Sequence, residues 1–143
     1  MADPAAYATV DDVLARYEQD VVDRICYDTV QEQPDYARLE RALEDAAGEI
    51  DSYISARYPV PVTPAPALLR NINVDLGMYS AALTADKLTD ELSARAENWR
   101  KHLVLIAKGQ AGLGIRENAS LTDTVPAGGT GVISGAFARS QRV

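Results

Sequence analysis

The side chains able to do chemistry are few in this chain. Its 143 residues include one histidine, His102, and one cysteine, Cys26. A single imidazole and a single thiol do not supply the His/Cys spacing of a transition-metal site. His102 stands between Lys101 and Leu103, beside an apolar stripe, and no Ser, Cys or carboxylate motif is aimed at it. That setting suits a helix-surface or boundary histidine better than a general base. Cys26 lies among apolar residues, where a thiol stays protonated and inert. The glycines of KGQAGLGI and PAGGTG do not follow a strand and open a helix, the context a phosphate-cradling loop needs. Glu44, Asp45, Glu49 and Asp51 are dense enough to suggest a divalent cation. On an exposed helix they face different directions with no turn to gather them, so a solvated face is the better reading. The expectation is no catalytic residue, no metal site and no cofactor.

The tyrosines are more informative. Seven Tyr accompany one Phe and one Trp, a set of rings that can be buried while a hydroxyl stays wet, as interfaces favour. Tyr53 and Tyr58 flank the turn into RYPVP. Anchoring in the core and contact with another subunit both fit them, and the contact reading takes in Tyr53, Arg57, Tyr58 and Pro59.

Charge narrows the partners. The net charge is −7, and residues 1–57 hold 14 acidic and 5 basic side chains, against 5 and 6 in residues 58–108 and 2 and 3 in residues 109–143. An acidic first third is poorly suited to gripping phosphates, because duplex affinity comes largely from Lys and Arg. A DNA-binding or packaging subunit would need a basic helix, and the most basic window offers Arg95, Arg100, Lys101 and Lys108. The plain reading of the acids is a solvated helix face. The functional one is a surface that stays beside DNA without adhering to it, with Glu44, Asp45 and Glu49 lining a channel. No apolar run approaches the roughly 20 residues of a membrane span, and MADPAAYATVDD has no signal-peptide core. One cysteine allows no intrachain disulfide and suits synthesis in the cytoplasm.

The elements that must position these residues are helical. In the stretch from Pro34, Tyr36, Leu39, Leu43, Ala46, Ile50 and Tyr53 recur at spacings of 3, 4, 3, 4 and 3, one face of a helix. Asp35 caps its start, and Pro59, Pro61, Pro64 and Pro66 end it and extend the link that follows. Thr9 with Asp12 forms a capping pattern before VDDVLARY. The next piece, EQDVVDRICYDTVQEQ, suits a short helix or a turn, and Val21, Val22, Ile25 and Cys26, spaced for one buried face, favour the helix. Leu69, Ile72, Leu76, Tyr79 and Leu83 make another stripe, and Leu92, Ala96, Trp99, Leu103 and Ile106 a last one, stopped by Lys108 and Gly109.

The spacing thus predicts helices near 9–17, 35–57, 67–86 and 90–108, with Leu39, Leu43, Ile50, Leu69, Ile72, Leu76, Trp99, Leu103 and Ile106 buried together. The fold is an all-α, small antiparallel helical bundle with a long central helix, over residues 1–108. Residues 109–143 hold seven of the nine glycines and read as a flexible tail that orders on assembly. Its Val132, Ile133, Phe137, Arg139 and Arg142 form an apolar-then-basic ending suited to docking on a partner, and VISGAF could pair with a supplied strand edge.

Three pieces in order carry a resemblance. RALEDAAGEIDSYISARYPVPV, with YATVDDVLARY before it and LIAKGQAGLG after it, resembles the Mu-like phage head–tail connector (neck adaptor) family from Tyr7 to Leu113. The resemblance implies a virion protein of the neck, made in the cytoplasm of a bacterial host. It implies a homo-oligomeric ring of about twelve copies in cyclic symmetry. It further implies portal protein on one side, a tail-side neck or tail terminator protein on the other, passing duplex DNA without specific binding, and no membrane.

Overall fold

The computed structural model describes residues 6–116. Five helices and one short hairpin follow in order: α1 (Val10–Arg16), α2 (Gln19–Cys26), β1 (Tyr27–Asp28), β2 (Gln33–Pro34), α3 (Tyr36–Ile54), α4 (Ala67–Thr84) and α5 (Asp90–Ala107). The caps fall where the side chains dictate. Thr9 accepts from the Asp12 N–H while the Asp12 carboxylate accepts from the Thr9 N–H, a reciprocal box at the start of α1. Asp35 accepts from the Ala37 N–H, Thr89 from the Leu92 N–H, and Gly109 leaves α5 with φ +79°.

Two boundaries differ from the sequence pattern. α3 stops at Ile54, short of residue 57, because the Ile54 carbonyl takes the N–H groups of both Arg57 and Tyr58 as the chain turns toward the prolines. The link 55–66 runs through successive turns and bends and is not extended, and Val62 within it is buried. The hairpin is an addition to the expected bundle. Tyr27 pairs with Pro34 and Asp28 with Gln33, and the Asp28 carboxylate caps the turn by accepting from the Val30 and Gln31 N–H groups.

α3 is the longest helix, but α4 is the one at the centre. Leu69, Ile72, Val74, Leu76, Met78 and Ala82 are buried on every side of it, as expected of a helix apolar all round. α3 and α5 both pack on α4, and α1 and α2 cover its remaining side. At the α3–α4 crossing a Cβ on Gly77 would lie 2.6 Å from Leu43 Cδ2, so glycine lets the two helices close.

All the aliphatic residues of the expected core are buried. They fall into two groups, one of Ile50, Leu69, Ile72, Leu76, Leu103 and Ile106 and one of Leu39 and Leu43 with the residues of α1 and α2. Trp99 departs from the expectation: it is half-buried, with its indole N–H donating to the Asp75 carboxylate of α4. Leu83, the end of the α4 stripe, is 54% exposed. Beyond α5 the packing continues past residue 108. Leu113 is buried in the first group and its N–H donates to the Tyr58 hydroxyl at 3.0 Å.

Candidate functional site

Of the residues singled out for subunit contact, Tyr58 is 1% exposed and its hydroxyl holds the chain at Leu113. That answers the core-or-contact question for Tyr58 in favour of the core. Tyr53 and Arg57 are half-buried and Pro59 is exposed. Of the acids, Glu44 and Asp45 are exposed on α3. Glu49 is not a bare carboxylate: Arg100 donates to it twice, at 2.7 and 3.1 Å, and the same guanidinium lies 4.9 Å from the Tyr79 ring centre. The paired Glu49 oxygens hold the Arg100 pKa above its ordinary value. Val132, Ile133, Phe137, Arg139 and Arg142 lie outside the described residues.

The most connected polar centre is one that the spacing rules passed over. Asp75 sits in the middle of α4 and is almost wholly buried. Trp99 Nε1 donates to it at 2.6 Å, the Tyr17 hydroxyl at 2.7 Å and Arg16 Nη2 at 3.1 Å, with Arg95 Nη1 at 4.0 Å. Around it lies an open cleft of about 400 Å³ lined by Arg16, Arg95, Asn98, Trp99 and His102. The cleft collects a carboxylate, two guanidiniums and an imidazole, yet both Asp75 oxygens already accept from donors. Burial, then the bond to Asp75, pushes the Tyr17 hydroxyl up to about 12, so it keeps its proton near neutral pH. The arrangement fixes α1 and α5 against α4.

A second clasp lies two residues away. Asn73 Oδ1 accepts from the Tyr7 and Ala8 N–H groups at 2.8 and 2.9 Å, while its amide donates to the Leu43 carbonyl at 3.0 Å. The Tyr7 hydroxyl donates to Asp51 and accepts from the Val62 N–H. Burial raises the Asp51 pKa, against the opposing effect of that hydrogen bond. The advance sign of these clasps is Asn73 and Asp75 in the middle of a mostly apolar helix; their hydrogen-bond partners lie 24 to 66 residues away along the chain.

A scan against protein families matches the bacteriophage Mu Gp36 family over residues 7–132. The chain belongs to the bacteriophage Mu Gp36 family. Among Gp36 relatives, it is 30% identical over 112 residues to the Mu-like prophage FluMu protein gp36 of Haemophilus influenzae, covering 78% of each chain. It is 30% identical over 115 residues to gene product J of Escherichia phage Mu, covering 80% of each. The Gp36 match runs to residue 132, past Leu113, where the resemblance read from sequence stops. Membership makes this a phage structural or morphogenesis protein. No described helix is long and apolar enough to cross a membrane.

Proposed function

We propose that this Gp36-family chain is a ring-forming head–tail connector: about twelve copies sit between portal protein and tail, surround the passing duplex and receive a tail-side neck or terminator protein. The observation that carries the reading is family membership across residues 7–132. The polar chemistry of the fold agrees with it, since Asp75, Asn73 and Glu49 are used to bind helices to one another. A net charge of −7 leaves the ring without the phosphate grip that would hold DNA in place. The ending with Val132, Ile133, Phe137, Arg139 and Arg142 supplies the contact to the adjoining neck protein.

A DNA-packaging or DNA-binding subunit fits less well. Three of the four cations in the most basic window face acids, Arg95 with Glu91 and Asp75, Arg100 with Glu49 and, weakly, Lys101 with Glu97. Deleting the gene from its phage tests the reading. Filled heads and finished tails should accumulate unjoined, and a plasmid copy should restore joined particles. Heads that stay empty in the mutant would point to packaging instead and refute the connector.

A further inference from the structure

Two outer faces of the subunit match each other and not themselves. On α5, Asn98, Lys101, Leu105 and Lys108 are exposed at spacings of 3, 4 and 3, with Val104 beside them. Val104 and Leu105 are 36% and 40% exposed, so an apolar pair flanked by two lysines has no cover in the described subunit. Lys101 is held only by Glu97 at 4.0 Å, both side chains more than 70% exposed, a pair of negligible strength. On α3, Glu40, Arg41, Glu44 and Asp45 present an excess of negative charge, and the exposed side continues through Gly48 and Ser52.

Gly48 is the informative residue. Glycine inside an exposed helix weakens that helix relative to alanine, and Gly77 shows what justifies one: a Cβ there would strike Leu43. At Gly48 a Cβ would meet nothing within 4 Å. Packing among the described residues gives no reason for glycine at this position. A helix arriving from outside does, because without a side chain the backbones can approach closely.

We propose that in the assembled ring the basic, apolar face of α5, with Lys101, Val104, Leu105 and Lys108, packs across Gly48 on the acidic outer face of α3 in the next copy. The proposal rests on the ring reading above. Two different patches meet, so the contact is heterologous and can repeat from copy to copy until a ring closes. Opposite charge fixes which face meets which.

Phage particles complemented with full-length Ser52→Cys/Leu105→Cys chain, treated with a short bismaleimide, should give a ladder of multimers on a denaturing gel. Either single variant should give none, because the native Cys26 is buried. Particles that contain the chain but yield no ladder would overturn the contact and leave the ring standing. Joined particles lacking the chain altogether would overturn both. In parallel, Gly48→Ala should raise the melting temperature of the purified chain by about 3 °C or more and lower the yield of joined particles at least about tenfold, the 1.4 kcal/mol equivalent of a lost fit. A stabilised variant that joins heads to tails normally would sink the proposal and return the outer side of α3 to the channel wall.

Discussion

Replacing Asp75 by asparagine probes the centre of the fold with almost no change in shape. The carboxylate accepts from Trp99, Tyr17 and Arg16 and faces Arg95 at 4.0 Å. Asparagine keeps one oxygen, so the donors on the other oxygen meet an NH₂ group and Arg16 loses its counter-charge, while Arg95 keeps Glu91 at 2.7 Å. Breaking a buried ion pair from one side costs about 3–5 kcal/mol. Arg16 and Arg95 side chains are 36% and 39% exposed and can rehydrate, so about 2–4 kcal/mol is expected here. Against a typical total of about 5–15 kcal/mol that loss is large. Urea unfolding followed by far-UV circular dichroism measures it. Trp99 is the only tryptophan, so its fluorescence reports whether the indole has left its acceptor. Tyr17→Phe should cost only about 1 kcal/mol, since Asp75 retains its other donors. If Asp75→Asn loses less than about 1 kcal/mol, the carboxylate is not the joint described.

Leu43→Ala should cost about 2–5 kcal/mol and Gly77→Ala about 1–3 kcal/mol, while the double variant recovers part of the loss because the new methyl fills the vacated space; a double-mutant cycle that is simply additive contradicts this. Burial, with smaller contributions from Asp23 and Asp35, pushes the Cys26 thiol up to about 11 from 9.0. The folded chain then holds that proton longer than the unfolded one, so this group's contribution to stability falls as pH rises between about 9 and 11. Native protein at about pH 8 should react slowly with iodoacetamide and rapidly in urea; fast native labelling would show an accessible thiolate. A chain cut after Gly114 should keep its helical content and melting temperature and fail to join heads to tails. A cut after Lys108 should lose about 1.5–3 kcal/mol with the burial of Leu113, and equal stability of the two truncations would contradict that packing.

Much of the helical scaffold was legible because helices advertise themselves by period and by caps. Leu39, Leu43 and Ile50 share one face by spacing alone, and Thr9, Asp35, Thr89 and Gly109 mark ends through groups that local geometry alone satisfies. The centrality of α4 is less legible: Leu69, Ile72, Leu76, Tyr79 and Leu83 mark one face only, whereas Val74 and Met78 are buried on other sides as well. Asn73 and Asp75 fall outside that stripe, and only Tyr7, Arg16, Tyr17 and Trp99, brought in from other elements, make them interior. The same distance effect applies to Glu49, whose partner Arg100 lies on another helix, and to Leu113, which finds Tyr58 across the bundle. Strands of two residues carry no alternation to detect, which is why the hairpin at Tyr27 was missed.

Two tyrosine hydroxyls tie the bent link to distant segments, that of Tyr7 reaching it and that of Tyr58 presented by it, with a consequence for re-engineering the chain. Near the start of the described fold, Tyr7 is tied to Val62; near its finish, Leu113 is tied to Tyr58. Both ends of the packed polypeptide are therefore fastened to one short stretch of prolines, on the same side of the molecule. In a chain cut after Gly114, a glycine–serine bridge could join them, and new ends could be opened in the exposed turn between α4 and α5. Such a circular permutant would retain both buried clasps of α4 while moving its free termini to the opposite end of the bundle, where a fluorescent or affinity label could be attached without disturbing Tyr7 or Leu113.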